Sequence, residues 1–464
     1  MAHTPIISNE DVLANLPSDF VIGTATAAFQ IEGGAKEGGR GVSIWDTYSQ
    51  TPGLIQFGDD PETGCDHYRL WRDDLDLMQS LNLRAYRLNF SWVRLQPNGS
   101  GELNPEGMKF YRELIAGCLA RGITPYVTLY HWDLPQALQD KGGWADRDTA
   151  FRFGEYATLV IDAFKDLVHN WITINEAWCV SFLGYEWGVQ APGVKDVRQA
   201  TRAIHHVLLA HGLAMQGARK VAPKINIGIT NLLVNVNPKS DSAADAHAAF
   251  VVDIRMNRIV LEPLYKGAYG SDVLSVFSRY GINEIPAADQ LVQPGDLEII
   301  STPTDFVGVN HYTNVLAYAD EKSEWEGVEM DHVEPTRGNF GWSDTPWALR
   351  DIVIRVNRDY SKLPIYITES GTSHVDVMNP DGSVDDPFRI DYLTGYIHGI
   401  GEAIAAGVPV KGYFIWSFMD NFEWSWGFEK RFGIVYVDFP TKKRIVKSSG
   451  VWLKNLLAQQ QGSK

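Results

Sequence analysis

Two patterns of apolar residues alternate along this chain. Short, β-prone apolar stretches occur at 20–26, 85–90, 124–130, 171–176, 225–229, 305–310, 364–369 and 410–416. Each has the length of an ordinary strand and is apolar enough for burial on both faces, as parallel strands require. Between them run longer segments with apolar residues at helical spacing: 73–83, 110–121, 151–167, 200–221, 243–261, 347–360 and 390–406, with a last one at 448–459. Leu75, Met78 and Leu81 illustrate the spacing, and Gly122 is a stop signal after the second segment. The stretch 262–304 reads as a loose connection, and the stretch with Trp325 and Trp342 as a loop. Strand and helix alternate about eight times. This predicts an α/β fold, a single (β/α)8 TIM barrel with elaborated βα loops. No linker or composition shift marks a second domain, so the expectation is a lead-in over 1–16 and one barrel domain over 17–464.

Polar residues collect at or just beyond the strand ends: Gln30, Arg87, His131, Asn175 with Glu176, Asn231, Asn310 with Tyr312, Glu369, and Trp416. In this fold the carboxyl ends of the strands build the active site. Glu176 and Glu369 each end an apolar strand, where an ionisable group is costly without partners. Two carboxylates facing each other across a barrel mouth are the apparatus of glycoside hydrolysis. On this reading Glu369 is the nucleophile, with Arg87 and Tyr312 as partners for its carboxylate. Glu176 is the acid/base, its proton held by nearby Glu369 and the apolar Trp178. A third cluster, 416–426, combines Trp416, Trp424 and Trp426 with Glu423. Aromatic rings and one acid suit a sugar, and they equally suit a packed loop.

Composition narrows the partners. The 464 residues carry a net charge of -16, which argues against nucleic acid or an anionic membrane as a partner. Cys65, Cys118 and Cys179 form no disulfide framework and suggest a reducing compartment. The first residues lack the basic and apolar regions of a signal peptide, so a cytoplasmic location is expected. No apolar run approaches the length of a membrane span. Gly39-Arg40-Gly41 lacks the rest of a dinucleotide-binding loop. There is no G-x-S-x-G and no H-E-x-x-H. His205, His206 and His211 share one helical segment without metal-ligand spacing; one is expected in the core and the others solvated or polar-bonded. No metal and no cofactor are expected.

An ordered series of longer motifs then becomes specific. It comprises Ala25-Thr26-Ala27-Ala28-Phe29-Gln30-Ile31-Glu32-Gly33, Arg40-Gly41-Val42-Ser43-Ile44-Trp45-Asp46, Thr128 to Pro135, Asn175-Glu176, Asn310-His311-Tyr312, Ile367-Thr368-Glu369, Trp416 to Trp424, and Arg431-Phe432-Gly433. On these residues the chain resembles glycoside hydrolase family 1, the β-glucosidases, over nearly its full length. Asn310 to Thr313 and Gly371-Thr372-Ser373 resemble its fungal intracellular members. The resemblance implies a retaining double displacement on cellobiose, short cello-oligosaccharides or aryl and alkyl β-glucosides. Transglycosylation, or β-galactosidase or β-fucosidase specificity, is the alternative. It also implies that Gln30, His131, Asn175, Asn310, Glu423 and Trp424 hold the glycone, with Trp416 as a stacking floor. Trp342, Trp178, Cys179, Leu183 and Phe432 would complete the substrate contacts. The chain departs from the family pattern at Ile22, where tryptophan is usual, and at Asn89, where serine is. Ala177 replaces the proline after the acid/base, and Ser370 the asparagine after the nucleophile.

Overall fold

The computed structural model describes residues 7–323, 325–332 and 338–462. Eight parallel strands close a barrel: β1 (Val21–Ala25), β2 (Ala85–Asn89), β3 (Thr124–Tyr130), β4 (Asn170–Asn175), β5 (Asn226–Leu232), β6 (Phe306–Asn310), β7 (Ile365–Ser370) and β8 (Val410–Trp416). Each pairs with its neighbours in sequence, and β1 closes on β8 with Ala25 opposite Trp416. All eight predicted strands are present. This is the TIM barrel that the strand–helix alternation predicts. Its outer helices include His67–Ser80, Pro105–Ala120, Asp148–Phe164, Val197–Val221, Pro346–Asp359 and Pro387–Ala405.

The barrel interior is graded from aromatic to polar. Deep inside the barrel the rings of Tyr126, Phe306, Tyr366 and Phe414 pack together, with Tyr126 and Phe414 centroids 4.8 Å apart and Phe306 and Tyr366 5.2 Å apart. Glycines leave room for them: a Cβ at Gly23 would lie 2.8 Å from the Phe414 ring, and one at Gly228 2.9 Å from the Phe306 ring. Two residues further along, strand periodicity brings the next inward positions into a polar layer. There Arg87 Nε donates to Thr128 Oγ1 at 3.3 Å, and Thr230 Oγ1 donates to Thr368 Oγ1 at 3.0 Å. The apolar end anchors the barrel, and the polar end supports what sits at its mouth.

The connections hold more structure than their sequence suggests. The stretch after residue 261 contains helices Ser271–Phe277 and Asp296–Ile300. The segment 243–261 is not one regular helix: it runs as Ala243–Asp253, a π-helical turn Ile254–Arg258, and a further helix Ile259–Lys266. Strands Asn235–Pro238, Asn314–Ala319 and Val328–His332 form a small sheet beside the mouth, where a loop was expected. The three helix histidines are all buried on protein partners, so none is solvated. His205 bonds Tyr269 and Asp296, His206 the Trp144 carbonyl, and His211 Thr173. No described helix is long and apolar enough to cross a membrane.

Candidate active site

Two barrel strands lose regular register near their carboxyl ends, and both lead into a glutamate. The pairing of β4 with β5 slips between Ile172 and Asn175. The pairing of β7 slips against β6 between Ile367 and Glu369, and against β8 between Ile367 and Ser370. Such slips re-aim the side chains beside them. Glu176 also takes φ of 55°, a conformation that a non-glycine residue keeps only where its surroundings hold it. Its amide still donates to the Thr230 carbonyl at 2.8 Å. Glu176 and Glu369 line one cavity of about 360 Å³ at the barrel mouth.

The two carboxyl groups have different surroundings. Glu369 accepts hydrogen bonds from Arg87 Nη1 on Oε1 and from Tyr312 OH at 2.6 Å on Oε2. A guanidinium and a phenol are the partners that a carboxylate takes. Burial, then the charge of Glu369, holds the Tyr312 phenol well above its ordinary value, so it remains a donor. Glu176 accepts neutral hydrogen bonds, from Asn310 Nδ2 at 2.7 Å and from the Cys179 thiol. Burial, followed by the negative charge of Glu369, pushes its carboxyl up to about 8. One acid is matched to a charge, the other to a proton.

Asn175 joins the two halves. Its Oδ1 accepts from Arg87 Nη2 at 2.7 Å and from Asn310 Nδ2 at 3.0 Å. Those two bonds fix the amide orientation, so Nδ2 donates to His131 Nε2 at 3.2 Å and the imidazole proton falls on Nδ1. Burial and the Arg87 charge hold His131 well below the usual histidine range, hence neutral. Gln30 is held from below: Nε2 donates to the Phe422 carbonyl at 2.8 Å and to Asn421 Oδ1 at 3.1 Å. Gln30 Oε1 and His131 Nδ1 are buried and find no partner among the described residues. They leave one acceptor and one donor unengaged beside the cavity. Glu423 lies within 3.4 Å of Gln30 Nε2; burial and then Glu369 push its carboxyl up to about 8.

Aromatic rings complete the walls. Trp424, at φ of 52°, lies 4.5 Å from Trp45 and 4.6 Å from Trp132. Trp416 stacks on His131 at 5.9 Å. Trp342 lies 5.2 Å from Tyr312 and stacks on Phe340 at 4.0 Å. The loop bearing Glu423 and Trp424 is anchored underneath by Asp420, which takes Lys447 Nζ at 2.6 Å, Arg431 Nη1 at 2.7 Å and the Gly433 amide at 3.0 Å.

The amino-acid sequence matches the glycosyl hydrolase family 1 model over residues 12–462. Beta-glucosidase A of Thermotoga maritima is 41% identical over 442 residues, covering 95% of this chain and 97% of the relative. The bifunctional beta-D-glucosidase/beta-D-fucosidase of Bifidobacterium breve is 39% identical, covering 95% of this chain and 98% of that one. The solved structure of the family 1 β-glucosidase from Thermotoga maritima, 41% identical, superposes with a TM-score of 0.91, covering 96% of this chain and 98% of that one. The chain belongs to glycosyl hydrolase family 1.

Of the residues singled out in the sequence, Glu176, Glu369, Tyr312, His131, Trp416, Glu423, Trp424, Trp342, Trp178, Cys179, Leu183 and Phe432 all line the cavity. Arg87, Asn175, Asn310 and Gln30 sit behind that lining, fully buried and hydrogen-bonded to residues that form it or adjoin it. Asn231, at another strand end, is buried outside the lining. Trp426 of the 416–426 cluster also belongs to the walls, as do Trp132, Trp187, Val189 and Phe340, which had not been assigned to the site. So do Val315, Met330 and His332 of the small sheet. Trp132 stood in the quoted run from Thr128 to Pro135, next to His131. The two departures that make side-chain hydrogen bonds have local partners. Asn89 Oδ1 accepts the Ala28 amide at the start of the short helix bearing Gln30, and Ser370 Oγ lies 3.1 Å from Tyr392 OH. Among the described residues no cluster of His, Cys, Asp and Glu could hold a metal ion.

Proposed function

We propose that this protein is a retaining β-glucosidase, with residues 17–464 working as one catalytic domain. It releases terminal non-reducing β-D-glucosyl units from cellobiose, short cello-oligosaccharides and aryl or alkyl β-glucosides. The observation that carries this reading is the division between the two strand-end acids: Glu369 on Arg87 and Tyr312, Glu176 with its carboxyl pushed up to about 8. In the first step Glu369 attacks the anomeric carbon while Glu176 gives its proton to the departing oxygen. A covalent glucosyl ester on Glu369 forms and the alcohol leaves. In the second step Glu176, now a carboxylate, takes a proton from water, which attacks the same carbon from the side that the aglycone vacated. Two inversions give net retention.

The glycone hydroxyls would meet Gln30 Oε1, His131 Nδ1, Asn175 and the Glu423 carboxyl, with Trp416 beneath the ring. The name of the Bifidobacterium breve relative supports β-D-fucosides as second substrates. A fucoside lacks the 6-hydroxyl and inverts the 4-hydroxyl, so it would change contacts at Glu423 and leave the two glutamates untouched. The test is proton NMR of the hydrolysis of 4-nitrophenyl β-D-glucoside. β-Glucose should appear first and then mutarotate. α-Glucose as first product, or no hydrolysis, would overturn the reading.

A further inference from the structure

A second cluster of ionisable groups lies beneath the mouth, outside the cavity lining. It consists of three carboxylates, Asp376, Asp386 and Asp420, and three cations, Arg389, Arg431 and Lys447. All except Arg431 are buried. Such a network is weak evidence for stability, because apolar residues of similar volume often serve a fold as well or better. Its place in the chain says more. Asp376 belongs to the segment that follows β7 and Glu369. Asp420 belongs to the segment that follows β8 and carries Glu423. The two segments leave neighbouring strands.

Lys447 joins the two carboxylates. Its Nζ donates to Asp376 Oδ2 and, at 2.6 Å, to Asp420 Oδ1. Arg389 Nη2 donates to the same Asp376 oxygen at 3.0 Å and to the Arg431 carbonyl at 2.8 Å. Arg431 Nη1 donates to Asp420 Oδ2 at 2.7 Å. Lys447 sits where stability alone gives little reason for a lysine. It is fully buried, and it directly precedes the last helix, Ser448–Gly462, whose amino end carries partial positive charge. Both conditions disfavour an ammonium, and the two carboxylates offset them. From Asp420 the path to the cavity is short. The Asp420 amide donates to the Val435 carbonyl at 2.9 Å. The next residue, Asn421, accepts Gln30 Nε2 at 3.1 Å and donates to Ser417 Oγ at 3.1 Å and to the Met419 carbonyl at 3.0 Å. Glu423 comes two residues later and lines the cavity, which Lys447 does not reach. A shift of Asp420 would carry Glu423 with it.

We propose that Lys447 is a positioning residue for Glu423. By holding Asp376 and Asp420 together it fixes the segment after β8 against the segment after β7. That sets where the Glu423 carboxyl meets the 4- and 6-hydroxyls of the glycone. The proposal rests on the β-glucosidase reading above, in which Glu423 takes those hydroxyls. It adds that discrimination at the 6-position depends on a side chain that never touches the sugar.

The test compares 4-nitrophenyl β-D-glucoside with 4-nitrophenyl β-D-xyloside, which has the same leaving group and lacks only the hydroxymethyl arm. The ratio of their kcat/KM values reads the contacts to the 6-hydroxyl. Lys447→Met keeps the length of the side chain and leaves each carboxylate one arginine. It should lower that ratio at least about fivefold, chiefly through the glucoside. A merely structural role would reduce the folded fraction and both substrates alike, so the ratio would not move. Made in the Glu423→Ala background, the same substitution should change the ratio less than about twofold, because the residue it positions is gone. Circular dichroism reports folding. Should Lys447→Met fail to fold, Lys447→Met with Asp376→Asn removes one charge of each sign, and the same fall in ratio is expected. A ratio unchanged in a folded variant, a fall that persists in the Glu423→Ala background, or failure of both variants to fold would overturn the inference and leave the β-glucosidase reading standing. So would a wild type that hydrolyses the two glycosides equally well. No hydrolysis of either would overturn both.

Discussion

At the scale of single residues, the site works by giving chemically identical side chains unlike neighbours. Glu176 and Glu369 are both buried, yet only Glu369 meets a cation. The consequence is a pH limit. In the acid/base role proposed for it, Glu176 must carry a proton to assist departure of a poor leaving group, and its carboxyl is pushed up to about 8. Turnover of alkyl glucosides should therefore be sustained below that pH and fall as pH rises through it. A 2,4-dinitrophenyl glucoside, which leaves without protonation, should lack this alkaline limb in its first step. Glu176→Ala should accordingly cost about a hundredfold or more in kcat/KM on cellobiose and much less on the dinitrophenyl substrate. Equal losses on both, measured side by side, would remove Glu176 from the acid/base role. These residues were legible in the sequence because an acid closing an apolar strand has few structural reasons to be there. His131 Nδ1 and Gln30 Oε1, as the free hydrogen-bonding atoms, were not legible. They emerge only when the amide and ring orientations are fixed by Asn175 and Asn421.

At the scale of elements, the barrel strands announced themselves because burial on both faces forces continuous apolar runs. The small sheet did not. Its first strand, Asn235–Pro238, is only partly buried, so the sequence there lacks the apolar run that marks a barrel strand. The π-helical turn Cys179–Leu183, which follows Glu176 and carries two wall residues, leaves no periodicity to read. Nor did the sequence show the closeness of the two strand ends beside Glu369. Gly371 follows β7 directly, and a Cβ there would lie 1.8 Å from the carbonyl oxygen of Trp416, the last residue of β8. Gly371→Ala should force these ends apart. Overpacking of this kind costs roughly 1–3 kcal/mol, and the displacement falls between Glu369 and Trp416. We expect a lower midpoint in urea unfolding and a kcat reduced at least about tenfold, since small misplacements at a reacting centre are costly. A variant with wild-type values in both would show that the strand ends can relax without disturbing the site.

At the scale of the molecule, the arrangement that makes the site reactive also makes it costly to fold. Glu176 ionises near pH 4.5 when unfolded but near 8 when folded. Its folded form holds the proton more tightly, so its contribution to stability is greatest at low pH and is lost as pH rises through about 8. The shift corresponds to at most ~5 kcal/mol. Glu176→Gln, which keeps the shape and removes the charge, should therefore raise Tm over wild type more at pH 9 than at pH 5. A gain equal at both, by scanning calorimetry, would mean that the carboxyl is not strained by burial. The central claim is that the barrel brings two strand-end acids, distant in sequence, onto opposite duties at one glycosidic bond. Glu369→Ala tests it most directly, with azide added as a substitute nucleophile. The variant should retain less than about a thousandth of wild-type rate on a glucoside with a good leaving group. Azide should restore turnover and yield α-glucosyl azide, because it attacks from the side that the carboxylate vacated while Glu176 remains on the other. A variant that stays active without azide, or a rescued product that is the β-azide, would contradict the account.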